Sequence, residues 1–265
     1  MLTFLFGRLL GRLISLAVTV IIGLGAYWFF FIRENNEAQK EAAAVTDEVR
    51  QAANATATPT TGSTTPVAGA TRTATAAPTA APAAPSTIGG SSYTIIAGQS
   101  SAWYLAPEKL ASLPTSSVAK GTTGEVKGEF HFAADGLDGS KATTFTVGLK
   151  GLKSNESRRD QRAQDALETA KFPSAIFTAT KLTGMPKEFT ATDTVMQLTG
   201  TLDLHGVKKE VTWELKVKKD GDIFSGLGTV SLKYADFGIR KPDIAGFVTV
   251  EPDVTIQVQL FAKQG

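Results

Sequence analysis

Apolar and polar residues alternate along most of the second half of the chain. In Val211–Val217 every second residue is apolar, and the residues between them are polar. The same period of two recurs in Glu125–Phe132, Phe145–Leu149, Met196–Leu204 and Val254–Leu260. Successive side chains of a strand point to opposite faces. The pattern therefore predicts antiparallel strands with one buried face and one solvated face.

The number of these strands predicts how they assemble. His205-Gly206 separates two strand patterns and predicts a tight hairpin. A set of strands with polar outer faces forms a sandwich or a closed barrel, and only closure removes the exposed edges. We predict a mainly β fold of antiparallel strands over residues 93–265, either a sandwich or a closed barrel, and a barrel of about eight strands can hold side chains or one small ligand in its interior.

A single helix-like segment, Ser157–Phe177, interrupts the strand patterns. Pro173 lacks an amide proton and disfavours helical geometry at the residue before it, so the helix must end by about Lys171. In a barrel this segment would cross or cover one end. Leu167, Ala170 and Phe172 would then face inward.

Charged residues are concentrated at the start of this helix, at Arg158, Arg159, Asp160 and Arg162. Arg159 and Asp160 have two interpretations, a polar rim that meets a ligand head group or a cluster of caps and ion pairs. Arginine at a helix N-terminus opposes the helix dipole, so these arginines need partners elsewhere. The structural role is the favoured interpretation.

The N-terminal part of the chain contains twenty uncharged residues, Leu13–Ile32. A helix of that length matches the hydrocarbon thickness of a bilayer. Arg8 and Arg12 precede it, which predicts a cytoplasmic N-terminus (1–12) and an extracytoplasmic C-terminal domain of a single-pass protein of the cell membrane. A cleaved signal peptide is the alternative, but Ala42–Ala44 lies far from the apolar core. A buried core helix is a third, less favoured interpretation.

Two segments join this predicted membrane helix to the barrel. Residues 33–53 are rich in Ala, Glu and Gln and form a possible helical extension. Residues 54–92 are rich in Thr, Ala and Pro and have too little apolar surface to offset the entropy of ordering. They predict a disordered linker.

Three blocks of sequence resemble one known family. They are Asn155–Phe177, Leu198–Val211 and Tyr234–Ile239, and together they span most of the C-terminal domain. In order and spacing they resemble the YceI family of extracytoplasmic proteins. The resemblance implies a lipocalin-like barrel that holds a polyisoprenoid chain, such as a quinone or its precursor. No other cofactor is implied.

The inward-facing residues are the candidate ligand contacts, although most of them would form ordinary core in a filled barrel. They are Phe130, Phe132, Phe145, Val147, Leu167, Phe172, Phe177, Leu202, Trp213 and Phe237. Gly128 and Gly200 lie in phase with apolar neighbours, which favours a hollow interior, although glycine in a strand also marks bends.

Composition excludes several other functions. The chain has no cysteine, two histidines and a formal net charge of +2. Neither a disulfide framework nor a basic surface for nucleic acid is therefore expected. His131 and His205 fall on a polar face and in a turn, so neither a catalytic site nor a metal site is predicted.

Two functions remain open. We predict a membrane-tethered protein, not an enzyme, that binds an apolar isoprenoid-type lipid and contacts the membrane through Leu13–Ile32. The alternative is a stress-protection or interaction module with a filled barrel. A hydrolase is the least favoured, and the oligomeric state is left open.

Overall fold

A computed structural model describes residues 38–55, 91–111 and 116–265. The helices in these ranges are α1 (Asp47–Ala55), α2 (Ser157–Ala166) and a 3-10 turn, η1 (Tyr234–Phe237). The strands are β1 (Ser91–Ile95), β2 (Ser101–Leu110), β3 (Ser116–Thr123), β4 (Val126–Ala133), β5 (Gly136–Leu137), β6 (Thr144–Gly148), β7 (Ser174–Thr183), β8 (Thr194–Leu204), β9 (Val207–Asp220), β10 (Ile223–Lys233), β11 (Val248–Val250) and β12 (Asp253–Gln264).

Eight antiparallel strands close into a barrel, one of the two architectures that the alternation allowed and the one that the family resemblance implied. The ring runs β1, β4, β6, β7, β8, β9, β10 and β12, and β12 pairs with β1 to complete it. β2 pairs with the first half of β12 and with β3, so this hairpin extends the wall at one end. Closure leaves these ring strands paired on both sides.

The predicted hairpin at His205-Gly206 joins β8 to β9, where Leu204 pairs with Val207. Both central residues have positive φ, 56° at His205 and 75° at Gly206. A two-residue hairpin of this kind matches the twist of its strands, and glycine adopts such a φ without steric cost.

Helix α2 ends earlier than Pro173 requires. It stops at Ala166, with Leu167 as its C-cap, and Glu168 takes a positive φ of 46°. The amides of Lys171 and Phe172 then both donate to the carbonyl of Glu168, forming a turn before β7. The left-handed residue ends the helix before the proline does.

One end of the barrel is filled with aromatic rings. We call this set the aromatic plug: Tyr93, Phe130, Phe132, Phe145, Phe177, Trp213 and Phe224. Its rings contact one another in tilted and edge-to-face pairs, with Phe145 5.0 Å from Phe177 and Tyr93 5.9 Å from Phe224 between centroids. Such pairs stabilise a core beyond their area burial.

Within the described residues of the barrel domain α2 is the one α-helix, as predicted, and a second short helix, α1, precedes the domain. It belongs to residues 38–55, which we call the strap and which lie on the outer wall of the barrel. Residues 38–46 are not helical, so the possible helical extension over 33–53 is limited to Asp47–Ala55 in the described part.

The predicted membrane helix at Leu13–Ile32 and most of the predicted linker lie outside the described residues. Asn54 and Ala55 at the start of that linker belong to α1, and Ser91 and Ser92 at its end belong to β1. Within 38–55, 91–111 and 116–265, the helices are too short or too polar to cross a bilayer.

Candidate functional site

A cavity of about 350 Å³ occupies the end of the barrel opposite the aromatic plug. Its walls come from β2, β3, β6, β7, β8, β9, β10 and β12, and α2, η1 and residues 239–250 surround its mouth. Most of the side chains that line it are apolar, and they include Ala102, Ala106, Ala119, Ala166, Val254, Ile256 and Val258. The barrel is therefore hollow at its mouth and filled at its closed end.

Seven of the ten predicted contact residues line this cavity. They are Phe145, Val147, Leu167, Phe177, Leu202, Trp213 and Phe237. Phe145, Phe177 and Trp213 also belong to the aromatic plug, so the exposed side of the plug forms the floor of the cavity. A ligand that entered from the mouth would stop at these rings.

Phe130 and Phe132 do not line the main cavity. They surround a second void of about 20 Å³ on the far side of Phe145 and Trp213. A space of that size holds about one water molecule. These two residues therefore serve as core of the closed end.

Phe172 also lies away from both voids. Its ring packs edge-on against the imidazole of His205 at 4.8 Å, and it covers Gly206, where a Cβ would lie 2.7 Å from the ring. Ala170, predicted to face inward, is exposed. The turn after α2 thus closes over the β8–β9 hairpin, and of the three residues predicted to face inward, Leu167 lines the cavity.

The glycines that favoured a hollow interior have a different role. A Cβ on Gly200 would lie 2.7 Å from Cζ of Phe177, and a Cβ on Gly128 would lie 2.7 Å from Cα of Phe145. Gly200 makes room for the ring of Phe177. Gly128, where a Cβ would also collide with the carbonyl oxygen of Thr144, instead lets the backbone of β6 approach closely. Alanines at 102, 106 and 119 leave the space that becomes the cavity.

Polar side chains meet at the mouth of the cavity. Glu108 points inward from β2 and is 6% exposed. Its carboxylate accepts a hydrogen bond from Ser117 Oγ at 3.2 Å and lies 3.5 Å from Arg159 Nη2 of α2. Arg159 also donates to Asn155 Oδ1 at 2.8 Å. The mouth therefore carries a buried carboxylate with a guanidinium above it.

The residues of the charge cluster lie in different places, and contact of the rim with a ligand head group stays a prediction. Asp160 Oδ1 accepts from the amide of Ser154 at 2.7 Å and from its hydroxyl at 2.6 Å, which fixes the entry to α2. Arg159 and Arg162 line the cavity mouth, and Arg159 has the tertiary partner that the helix dipole required. The cluster is therefore structural at Asp160 and part of the rim at the two arginines.

Two tyrosines complete the mouth, Tyr104 from β2 and Tyr234 from η1. Burial raises the pKa of Tyr104 to about 12; Arg159 lowers it, and Asp160 and Glu108 raise it. Burial also raises the pKa of Tyr234, and Tyr104 and Glu108 add to that rise. Both phenols therefore remain neutral hydrogen-bonding groups at physiological pH.

These tyrosines predict a loss of stability in alkali. Unfolded tyrosine loses its proton near pH 10, whereas folded Tyr104 holds it to about 12. Between these values the native state binds more protons, so the free energy of unfolding falls as the pH rises. Urea unfolding on both sides of pH 10 should show this fall, with a smaller slope in Tyr104→Phe. Equal slopes in the two proteins would contradict it.

The two histidines lie on different elements. His131 Nδ1 is 2.8 Å from Ser92 Oγ, and His205 Nδ1 is 3.1 Å from the carbonyl oxygen of Phe237. His205 occupies the predicted turn, where its contacts tie the β8–β9 hairpin to η1. Each histidine thus has a structural partner on another element.

The residues of β2 that form one wall and the rim of the mouth were not among the predicted contacts. The stretch Ser101–Leu110 has apolar residues on both faces, so alternation did not identify its inward side. Trp103 and Leu105 face outward and are buried beneath the strap, while Tyr104, Ala106 and Glu108 line the cavity. The small inward alanines were the available signal.

Comparisons with known proteins agree with this architecture. A family model described as the YceI-like domain matches residues 93–262. Protein YceI of Escherichia coli O157:H7 is 33% identical over 149 residues, which cover 52% of this chain and 72% of that protein. A UPF0312 protein of Vibrio vulnificus (strain YJ016) is 32% identical over 143 residues, covering 51% and 72%.

A solved structure shares the fold. It is described as a polyisoprenoid binding domain from Saccharophagus degradans implicated in plant cell wall breakdown. It superposes with a TM-score of 0.51 at 16% identity and covers 65% of this chain and 98% of its own. At this identity the similarity concerns the architecture of the barrel.

Proposed function

The chain belongs to the YceI-like family, and on that premise we propose that it binds an apolar isoprenoid-type lipid inside its barrel. The lipid is a quinone or polyprenyl chain that enters at the mouth and ends against the aromatic plug. We further propose that Leu13–Ile32 anchors the protein in the cell membrane with the barrel on the extracytoplasmic side.

The apolar cavity is the observation that carries this proposal. Its volume of about 350 Å³ lies within the usual range for small-molecule sites, roughly 300–1,000 Å³. Each methylene that leaves water contributes about 0.8 kcal/mol, so a few isoprene units offset the cost of ordering a flexible tail. The solved polyisoprenoid binding domain with the same fold supports this class of ligand.

The polar mouth supports a ligand with one polar end. Tyr104 and Tyr234 offer neutral hydroxyls, and Arg159 offers guanidinium donors beside the cavity. A quinone carbonyl or an alcohol at the head of the lipid would accept these hydrogen bonds while the tail is buried. The same groups bind a purely apolar hydrocarbon less well, because they would lose water without gaining a partner.

The proposed anchor rests on the sequence alone. Twenty uncharged residues preceded by arginines match a single membrane helix with its N-terminus in the cytoplasm. A tethered carrier stays next to the bilayer in which isoprenoid lipids dissolve. The filled-barrel alternative is not favoured, because it leaves an apolar cavity at the mouth without a purpose.

Titration with a quinone-type lipid tests the binding. The chain has three tryptophans, and Trp103 lies outside the barrel with Nε1 3.1 Å from Gln257 Oε1. A variant with Trp28→Phe and Trp103→Phe leaves Trp213, at the floor of the cavity, as the one fluorophore of this kind. Saturable quenching of Trp213 in delipidated full-length protein is the expected result.

Mass spectrometry gives an independent measurement. Organic extracts of the purified protein should contain an isoprenoid lipid in an amount comparable to the protein. A chain with neither saturable quenching nor extractable isoprenoid would not have the proposed function.

A further inference from the structure

Polar side chains on the outer wall of the barrel bind the strap, among them three on β10 and β12. The amide of Gln257 on β12 accepts from the backbone N–H of Gln39 at 2.8 Å and donates to its carbonyl at 2.8 Å. The side chain of Gln259 accepts a hydrogen bond from the backbone N–H of Ala43 at 2.9 Å. Ser225 Oγ donates to the backbone carbonyl of Ala43 at 2.6 Å. The backbone of the strap thus has specific partners.

The strap also covers apolar side chains that a barrel would otherwise expose. Ala42, which is 3% exposed, packs with Trp103, Leu105 and Leu227. Farther along, α1 buries Val49 and Ala53 against a second outer cluster, Ile96, Ile223 and Phe261. Residues 38–55 therefore belong to the folded domain and are not part of a free stalk.

The strap runs along the wall in one direction. Gln39 contacts Gln257, Ala43 contacts Gln259, and Ala53 accepts a hydrogen bond from Lys263 at 3.4 Å. Along β12, Val254, Ile256 and Val258 line the cavity, whereas Leu260 lines the small void in the closed end. The first residues of the strap therefore lie nearer the mouth, and α1 lies nearer the closed end.

Strand geometry gives the distances. Gln257 is four residues from the mouth end of β12 at Asp253 and seven from its other end at Gln264. At about 3.3 Å per residue these separations are about 13 Å and 23 Å. The five residues 33–37 between the predicted membrane helix and the strap reach at most about 18 Å. The connection of about 18 Å is therefore long enough to bring the mouth end of the wall to the membrane, but it is shorter than the distance to the closed end.

A second observation concerns the rim of the mouth. Phe247 is 71% exposed, the largest exposed fraction among the large exposed hydrophobic residues of the described ranges. It projects from the turn between Ile244 and Val248, two residues that line the cavity. An exposed aromatic ring suits the interface between lipid and water.

We propose that the strap holds the barrel with its mouth, and Phe247 on the rim, against the outer surface of the bilayer. An apolar ligand then passes from the lipid phase into the cavity without crossing water. This inference rests on the proposed function and on the predicted membrane helix, and it adds an orientation to both.

Because the chain has no cysteine, single labels report the orientation. Full-length protein carrying Ala245→Cys at the mouth, or Lys187→Cys in the loop after β7 at the closed end, is labelled with a fluorophore. Each is reconstituted into phosphatidylcholine vesicles that contain a lipid with a nitroxide head group. Severalfold stronger quenching of the label at 245 than at 187 is expected, and equal or reversed quenching overturns the proposal.

Release of the strap is the second arm. Ala42→Asp places a carboxylate among buried apolar side chains, whereas Ala44→Asp makes the same change at an exposed position two residues away. Quenching at 245 should fall in Ala42→Asp and persist in Ala44→Asp. Persistence in both variants would show that the strap does not set the orientation. If Ala42→Asp fails to fold, the comparison of quenching at 245 and 187 in the otherwise unchanged chain still tests the orientation.

The two proposals can fail separately. If the protein does not bind the lipid, quinone does not quench Trp213, but the label at 245 is still quenched more strongly than the label at 187. If the orientation is wrong, the two labels are quenched equally, but quinone still quenches Trp213 saturably. A chain that does not sediment with the vesicles lacks the predicted anchor, and the orientation proposal then falls with it.

Discussion

Phe177→Ala is expected to lower the free energy of unfolding by about 3–5 kcal/mol. The ring is 1% exposed and lies 5.0 Å from Phe145 and 6.0 Å from Trp213 between centroids. Its removal joins a new void to the existing cavity. The ring also packs on Gly200, where a Cβ would lie 2.7 Å from Cζ of Phe177. If the ring were strained or loosely packed, Phe177→Ala would lower the free energy of unfolding by much less.

The adjacent residue supplies the control. Ile176 is on the same strand with its side chain on the opposite face, and it is 39% exposed. Ile176→Ala should cost less than about 1 kcal/mol, in line with substitutions at the surface. Midpoints and slopes of urea unfolding measure both changes. Similar losses at 176 and 177 would show that the aromatic plug does not carry the stability of the barrel.

Alternation predicted the inward face of most strands because that property is local. Phe145 and Trp213 lie on two different strands, and the period of two placed both of them inside. The same rule does not say whether an inward residue meets a neighbour or a void. That depends on the sum of side-chain volumes at one level of the barrel, which comes from strands far apart in the sequence.

The cavity illustrates this limit. It exists where β2 and β3 place Ala102, Ala106 and Ala119 across from larger side chains, and these two strands carry no clean alternation. The hydrophobicity of Trp103 and Leu105 indicates the inner face of the barrel. They lie on the outer face instead, where the strap buries them. A contact between Ala42 and Trp103 across 61 positions has no local signature in either segment.

The helix boundary shows a second limit. Pro173 gives a latest end for α2, but the actual end at Ala166 depends on Glu168 adopting a positive φ. Glutamate rarely takes that conformation unless tertiary contacts support it. Here the following turn places Phe172 on His205 and Gly206, two residues of a distant hairpin. The place where the Phe172 side chain packs could therefore not be predicted from the helix pattern alone.

Ala106→Trp is expected to abolish lipid binding, with an affinity loss of at least about 100-fold, or about 2.7 kcal/mol. Ala106 is 4% exposed and points from β2 into the cavity, opposite Ala119 in the hairpin register. An indole at this position occupies the space proposed for the isoprenoid tail. Because no protein side chain fills that space, the thermal midpoint should stay the same or rise.

Ala170→Trp is the matched control, because Ala170 is exposed in the turn after α2. The same indole there should leave the quinone affinity unchanged when both variants are titrated by a competition assay that does not depend on tryptophan fluorescence. If Ala106→Trp is folded and binds like the unmodified chain, the lipid does not occupy the cavity. If Ala106→Trp alone loses binding, the tail lies between β2 and the aromatic plug, where Phe145, Phe177 and Trp213 set its depth.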